Sequence, residues 1–133
     1  MNQRTLLIVD DDPEVRGALR RALRGSEYAV IEAADGAVGL AIFRTNPVDV
    51  VISDYEMPGM DGLELLQRVR LHDPRVLRVL LTGRADLQVA MRALNEGAVN
   101  RMLLKPWDHV DLLGTLRIAA RASARQPAVV PEE

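Results

Sequence analysis

The chain has 133 residues, enough for one domain with a single hydrophobic core. Its 17 basic and 19 acidic residues give a net charge of −2, so there is no electrostatic basis for binding nucleic acid or an anionic membrane. Aromatic residues make up 3% of the sequence and cysteine is absent, which argues against a base-stacking platform and excludes disulfides and zinc–cysteine sites. The first apolar run, residues 6–9, is too short for a signal peptide or a membrane span, and we expect a cytoplasmic protein.

Short apolar segments alternate with segments of helical periodicity along the chain. Four of the five apolar segments show little alternation of polar and apolar residues, as strands buried on both faces do; the five cover residues 5–9, 28–33, 48–53, 76–82 and 99–104. The other segments space apolar residues three and four positions apart and predict helices near 15–23, 35–45, 62–71, 87–94 and 108–122. This order predicts an α/β fold with a parallel sheet and helices on both faces, but it leaves the order of the strands open.

Residues that favour helix ends support these boundaries. Asp12 followed by Pro13 is typical of an N-cap with proline at the first helical position. Gly25 and Gly97 lie where the first and fourth helices are expected to end. Residues 123–133 contain two prolines and no clear period, which indicates a flexible tail or the start of a linker.

Polar residues follow four of the five predicted strands. The carboxyl ends of parallel strands meet at one edge of the sheet, and ligands of such sheets bind outside that edge. The residues delivered there are Asp10, Asp11, Asp12, Asp54, Thr82 and Lys105.

Several of these residues have simpler explanations when each is taken alone. Asp12 suits a helix cap, Asp54 suits a turn, Thr82 suits a strand end, and Lys105 suits a solvated surface position. The pair Asp10–Asp11 is harder to explain in this way, because adjacent carboxylates repel each other and a bound cation is the simplest remedy.

Taken together, the carboxylates, the lysine and the hydroxyl predict a phosphoryl-transfer site. Carboxylate oxygens are the protein ligands that Mg²⁺ prefers, and a carboxylate can attack phosphorus to form an aspartyl phosphate. The charge that develops on the phosphoryl oxygens needs a metal ion, an ammonium and a hydroxyl donor. The sequence supplies side chains for each of these roles.

Over about residues 4–122 the chain resembles the receiver domain of bacterial two-component response regulators. The resemblance rests on four motifs in a specific order and spacing: LLIVDDDP at 6–13, VVISDYEMPGMDGLELL at 50–66, VLLTG at 79–83 and LLKPW at 103–107. It implies a doubly wound, flavodoxin-like parallel sheet of five strands in the order 2-1-3-4-5 with five helices.

The resemblance also implies roles for individual residues. Asp54 is the phosphoacceptor, and Asp10 and Asp11 bind Mg²⁺ together with Asp54 and the main-chain carbonyl of Glu56. Thr82 and Lys105 contact the phosphoryl group, and the peptide bond between Lys105 and Pro106 is a candidate cis bond.

At some positions the sequence departs from the family pattern or varies within it. Many receivers carry Tyr or Phe three residues before the lysine, where this chain has Met102, a flexible residue without a hydroxyl. Glu56 and Arg84 occupy variable positions beside the path of the hydrolytic water, and we hypothesise an ion pair between them. Trp107 has two equally supported interpretations, packing beside the fifth strand or reporting on the site.

The function implied by the resemblance is that of a switch. Asp54 receives a phosphoryl group from a sensor histidine kinase or a phosphotransfer protein, and the surface of helix 4, strand 5 and helix 5 changes for a partner or a homodimer. The domain catalyses only its own phosphorylation and dephosphorylation, and it neither binds nucleic acid directly nor enters a membrane. Whether it stands alone or precedes an output domain is left open.

Two alternatives belong to other functional classes. A small hydrolase with an aspartyl-phosphate intermediate typically has a second aspartate two residues after the nucleophile, where this chain has Glu56, and it also needs a substrate-covering cap. A binding module that never uses phosphate would have no need for the acidic pair and Lys105, which this chain retains.

Overall fold

The computed structural model describes residues 3–117, which form a parallel sheet with helices on both faces. The strands are β1 (Arg4–Val9), β2 (Tyr28–Ala33), β3 (Val50–Asp54), β4 (Leu77–Thr82) and β5 (Arg101–Leu104). They lie side by side in the order β2-β1-β3-β4-β5, and every neighbouring pair is parallel. The α/β class and the strand order implied by the resemblance are confirmed.

Five helices connect and follow the strands. They are α1 (Pro13–Ala22), α2 (Gly36–Thr45), α3 (Gly62–His72), α4 (Leu87–Asn95) and α5, which covers residues 109–117. A 3₁₀ turn, Arg84–Asp86, precedes α4. The predicted end of the last helix at 122 and the predicted tail at 123–133 lie outside the described residues.

Three strands, β3, β4 and β5, begin later than the sequence pattern predicts, by two, one and two residues. The amide of Asp49 donates to the Thr5 carbonyl at 2.8 Å, and the Asp49 carboxylate accepts from the Thr5 amide at 2.8 Å. The amide of Val99 donates back to the carbonyl of Ala93 in α4 at 3.4 Å. Val48 and Val99 are apolar and therefore resemble strand residues in the sequence, although the strands begin after them.

The sheet separates two apolar layers. On one face, α2, α3 and α4 pack against alternate strand residues such as Leu7, Val9 and Val51. On the other face, α1 and α5 pack against the intervening residues, among them Ile8 and Ile52. Because β1, β3 and β4 are covered on both sides, their sequences are almost continuously apolar, as predicted.

The predicted helix boundaries agree with the structure. The Asp12 carboxylate accepts a hydrogen bond from the Glu14 amide at 2.9 Å and so caps α1. Gly25 and Gly97 have φ values of 82° and 85°, a left-handed conformation that glycine adopts without steric strain where α1 and α4 end. Within residues 3–117, no helix has both the length and the apolar character that crossing a membrane requires.

Candidate functional site

The strand order brings the predicted site residues to one edge of the sheet. Asp54 is the last residue of β3, between β1, which is followed by Asp10, and β4, which ends at Thr82. Lys105 follows β5 on the far side of β4. The chain reverses its direction of winding between β1 and β3, and this is where doubly wound sheets bind their ligands.

Three carboxylates converge at this edge. Asp10, Asp11 and Asp54 each place one carboxylate oxygen within 4.8 Å of the other two. Asp10 and Asp54 are buried, with 1% and 6% of their surface exposed, whereas Asp11 is exposed. One Asp10 oxygen accepts from the Asp12 amide at 2.9 Å, and the other is buried without any hydrogen-bond partner among the described residues. A buried carboxylate oxygen without a partner, beside two further carboxylates, fits a divalent cation that takes oxygen ligands.

The environment of Asp10 disfavours its charged form. Burial raises the pKa of Asp10 to about 6, and the neighbouring Asp54 and Asp11 charges add to this effect. The hydrogen bond from the Asp12 amide and the charge of Lys105 lower the pKa only in part. A cation at the cluster would relieve the repulsion and favour the ionised carboxylate.

Lys105 supplies the positive charge on the other side of Asp54. Its Nζ lies 2.5 Å from Oδ1 of Asp54, and the lysine side chain is 37% exposed. Burial by itself lowers the pKa of Lys105, but the hydrogen bond to Asp54 and the charges of the acidic cluster raise it overall above its ordinary value. Lys105 is therefore an ammonium at neutral pH. The Lys105–Pro106 peptide bond is cis, as the resemblance implied.

Thr82 lies at this edge but its hydroxyl is directed elsewhere. The residue is 1% exposed, and its Oγ1 donates to the adjacent Gly83 carbonyl at 3.2 Å. Thr82 thus brings a buried hydroxyl to the site without a hydrogen bond to Asp54, and rotation of its side chain would redirect this donor.

The backbone after Asp54 is held by contacts that were not predicted from the sequence. The Ser53 hydroxyl donates to the Asp54 carbonyl at 2.9 Å, and the Gly62 amide donates to the Tyr55 carbonyl at 2.9 Å. A Cβ atom at Gly62 would lie 2.0 Å from the Asp54 carbonyl oxygen, so only glycine allows this approach. Two signals in the sequence point to these contacts: Ser53, a polar residue in an otherwise apolar strand, and Gly62 beside the site.

The hypothesised ion pair between Glu56 and Arg84 is wrong for this structure. Both side chains are exposed, and no salt bridge joins them in the part of the chain that the structure describes. Solvated side chains gain little from pairing, so their positions beside the site do not bring them together.

Met102 and Trp107 lie on opposite sides of the sheet. Met102, in β5, is partly buried against the apolar layer that includes α2, α3 and α4. Trp107 is partly buried against the layer that includes α1 and α5. Packing therefore accounts for Trp107 in this structure, and its use as a reporter stays a prediction.

The fold and the site define a flavodoxin-like α/β domain with an acidic, cation-compatible edge, and comparisons with known proteins agree. Residues 6–117 match the family model of the response regulator receiver domain. The hydrogenase transcriptional regulatory protein HoxA of Cupriavidus necator is 34% identical over 93% of this chain and 26% of its own length. The solved signal receiver domain of an HD domain-containing protein from Pseudomonas fluorescens Pf-5 is 36% identical with a TM-score of 0.85, over 92% of this chain and 98% of that one. A response regulator receiver domain protein from Clostridium thermocellum is 29% identical with a TM-score of 0.85, over 91% of this chain and 97% of that one.

The chain belongs to the response regulator receiver domain family of two-component systems. It spans about a quarter of the length of the first curated relatives it matches, which are transcriptional regulators. The resemblance seen in the sequence motifs is therefore confirmed at the level of family and fold.

Proposed function

We propose that Asp54 accepts a phosphoryl group from the phosphohistidine of a sensor histidine kinase or a phosphotransfer protein. The observation that carries this proposal is the position of the Asp54 carboxylate between the acidic cluster and the Lys105 ammonium, 2.5 Å from Nζ. This arrangement places a nucleophilic oxygen where both a cation and an ammonium can neutralise phosphoryl oxygens.

The metal that fits this donor set is Mg²⁺, held by the carboxylates of Asp10, Asp11 and Asp54 and by the main-chain carbonyl of Glu56. The buried, unpartnered oxygen of Asp10 supports this assignment. When bound, Mg²⁺ neutralises charge that develops on the transferring phosphoryl group.

The protein groups carry out the transfer by position. An Asp54 carboxylate oxygen attacks phosphorus, a phosphorus–oxygen bond forms, and the phosphorus–nitrogen bond of the phosphohistidine breaks, leaving the electron pair on the imidazole. Lys105 then pairs with a phosphoryl oxygen instead of the Asp54 carboxylate. The Thr82 hydroxyl turns away from the Gly83 carbonyl and donates to a second phosphoryl oxygen. Since Thr82 precedes α4 and Lys105 follows β5, these movements would shift the adjoining surface.

That surface is the proposed output of the switch. It exposes apolar side chains on α4, β5 and α5, with 49% of Met91, 38% of Leu104 and 76% of Val110 accessible. We propose that phosphorylation alters its affinity for a partner or for a second copy of the chain. Met102 fills the position of the usual aromatic switch residue, so its response depends on repacking of a flexible side chain.

The domain acts as a switch and has no diffusible product beyond the phosphate that it hydrolyses from itself. Glu56 and Arg84 flank the proposed path of the attacking water as separate exposed residues, and each can alter the lifetime of the phosphorylated state. As a cytoplasmic receiver, it would meet its kinase or phosphotransfer partner in solution.

Labelling with acetyl phosphate and Mg²⁺, followed by phosphate-affinity gel electrophoresis, tests the proposal. Wild type should form a single phosphorylated species that base and hydroxylamine cleave, and Asp54→Asn should form none. Asp12→Asn, which alters the nearby helix cap, is the matched control and should still be labelled. Sustained turnover of many phosphate esters would favour the hydrolase, and unlabelled wild type would favour the phosphate-independent module.

A further inference from the structure

Arg16 of α1 contacts the main chain of the acidic site, and the proposed phosphoryl transfer does not use this residue. Its Nη1 donates to the main-chain carbonyl of Asp10 at 2.6 Å, and its side chain is only 18% exposed. The donor is charged and the bond is short, so this is among the stronger hydrogen bonds to the site's backbone.

The guanidinium of Arg16 is itself held in place by β2. Its Nε lies 3.3 Å from Oε1 of Glu32, and the other oxygen of Glu32 accepts from Nη1 of Arg20 at 2.5 Å. Glu32 is 27% exposed at its side chain, which limits competition from water. Glu32 also balances the charge of Arg16, so the contribution of Arg16 to the acidic site is one of orientation.

The bonded carbonyl belongs to the peptide that joins Asp10 to Asp11. A peptide unit is planar, so holding its oxygen also fixes the Asp11 amide and the directions in which both side chains leave the backbone. The Asp10 amide is held by the Ala33 carbonyl at 3.2 Å, and the Asp12 amide donates to the Asp10 carboxylate. Arg16 therefore adds a further restraint to residues 10–12, which follow the end of β1.

We propose that Arg16, oriented by Glu32, is a positioning residue that fixes the Asp10–Asp11 peptide and thereby sets the divalent-cation affinity of the site. The proposal rests on the proposed function, because it takes the acidic cluster as a Mg²⁺ site. Partners that orient metal ligands typically change metal affinity by about 10–100-fold when they are removed.

The test is a Mg²⁺ titration of the purified chain, followed by amide chemical shifts at Asp10–Asp12 and independently by isothermal calorimetry. Arg16→Met keeps the apolar stem and removes the donors, and we expect it to weaken Mg²⁺ binding about tenfold. Arg16→Lys retains a cation that donates from one nitrogen, so its Mg²⁺ affinity should lie between those of Arg16→Met and wild type. Arg20→Met removes the other partner of Glu32 without touching the Asp10 carbonyl, and its affinity should equal that of wild type.

A second variant keeps the proposal testable if Arg16→Met does not fold. Glu32→Gln leaves Arg16 in place but weakens its support, and a smaller loss of affinity is expected. Urea unfolding of each variant in EDTA separates stability from affinity, because a purely structural role would lower stability and leave the Mg²⁺ dissociation constant unchanged.

Wild-type affinity in both Arg16→Met and Glu32→Gln would overturn the positioning role while leaving phosphorylation of Asp54 standing. If wild type itself binds no Mg²⁺ and acetyl phosphate does not label it, the proposed function fails as well. Labelling of Asp54 with unaltered metal affinity in the variants would therefore refute only the inference about Arg16.

Discussion

Among the residues of the site, Asp10 lies in surroundings that oppose its charge. Asp10 is 1% exposed, and one of its oxygens has no partner among residues 3–117. Its pKa of about 6 lies above the ordinary value of 3.8, so the folded chain binds a proton there more tightly than the unfolded chain does. The ionised Asp10 carboxylate thus carries a cost in stability when no cation is bound beside it.

The sign of the pH dependence follows from that shift. Between about pH 4 and pH 6 the folded state holds more protons at Asp10 than the unfolded state, so this residue makes stability fall as the pH rises. The full cost, roughly 3 kcal/mol from the difference in pKa, is present above pH 6.

We expect Asp10→Asn to raise the free energy of unfolding at pH 7.5 in EDTA by about 1–3 kcal/mol, because an amide avoids the buried charge. Urea unfolding of wild type and variant between pH 3.5 and 8 measures this. The two proteins should converge as the pH falls through 3.8, since Asp10 then becomes protonated in the unfolded state as well as in the folded one. A constant difference across the range would contradict the assignment of the cost to the Asp10 charge.

Among the secondary-structure elements, the junction of β3 and α3 sets the position of Asp54, the proposed phosphoacceptor. The Asp61 carboxylate caps α3 by accepting from the Glu64 amide at 2.8 Å, and the first helical residue, Gly62, lies against the Asp54 carbonyl. The helix can begin this close to the strand only because Gly62 has no side chain. The loop that carries Tyr55 and Glu56 is therefore closed at both ends by backbone contacts.

We expect Gly62→Ala to lower the free energy of unfolding by about 1–3 kcal/mol or more, because its Cβ would lie 2.0 Å from the Asp54 carbonyl oxygen and the backbone must move. The same shift should reduce acetyl phosphate labelling of Asp54. Gly114→Ala is the matched control, since a Cβ there meets nothing within 4 Å, and it should gain up to about 1 kcal/mol from helix propensity. Equal effects of the two substitutions, measured by urea unfolding, would refute the steric argument.

At the scale of the whole molecule, the two ends of the sheet have separate roles. The carboxyl edge holds the site. At the opposite edge lies the side chain of Arg78 in β4, a residue only 3% exposed, which joins the connection between α3 and β4 to the connection between α4 and β5. Its guanidinium donates to four main-chain carbonyls at 2.9–3.0 Å, those of Pro74, Val76, Gly97 and Ala98. Burial lowers the pKa of Arg78, but its ordinary value is so high that the charge persists.

We expect Arg78→Met to lower the free energy of unfolding by about 3 kcal/mol or more, because four hydrogen bonds are lost and buried carbonyls are left unpaired. Arg78→Lys keeps the charge but cannot reach four carbonyls, so its free energy of unfolding should lie between those of wild type and Arg78→Met. Urea unfolding measures both variants. Since the site lies at the other edge of the sheet, the Mg²⁺ affinity of the folded variants should be unchanged. If Arg78→Met lowers the free energy of unfolding by less than about 1 kcal/mol, Arg78 does not hold the two connections together.

Local sequence patterns predict the succession of strands and helices along the chain, most of their boundaries and the four strand ends that carry the site. These features depend on local periodicity, on capping residues such as Asp12 and on residues adjacent in the chain, so they can be read without knowing the fold. The order of the strands within the sheet was predicted from the family resemblance, because strand pairing joins residues far apart in the chain.

Which side chains meet depends on the packing of the folded chain. It placed Arg16 on the Asp10 carbonyl and Arg78 on four carbonyls, and it left Glu56 and Arg84 apart. Each of these outcomes depends on distances between separate elements and on competition from water, neither of which a sequence pattern contains. The identities of the chemical groups at the site were thus present in the sequence, whereas their supports were fixed by packing.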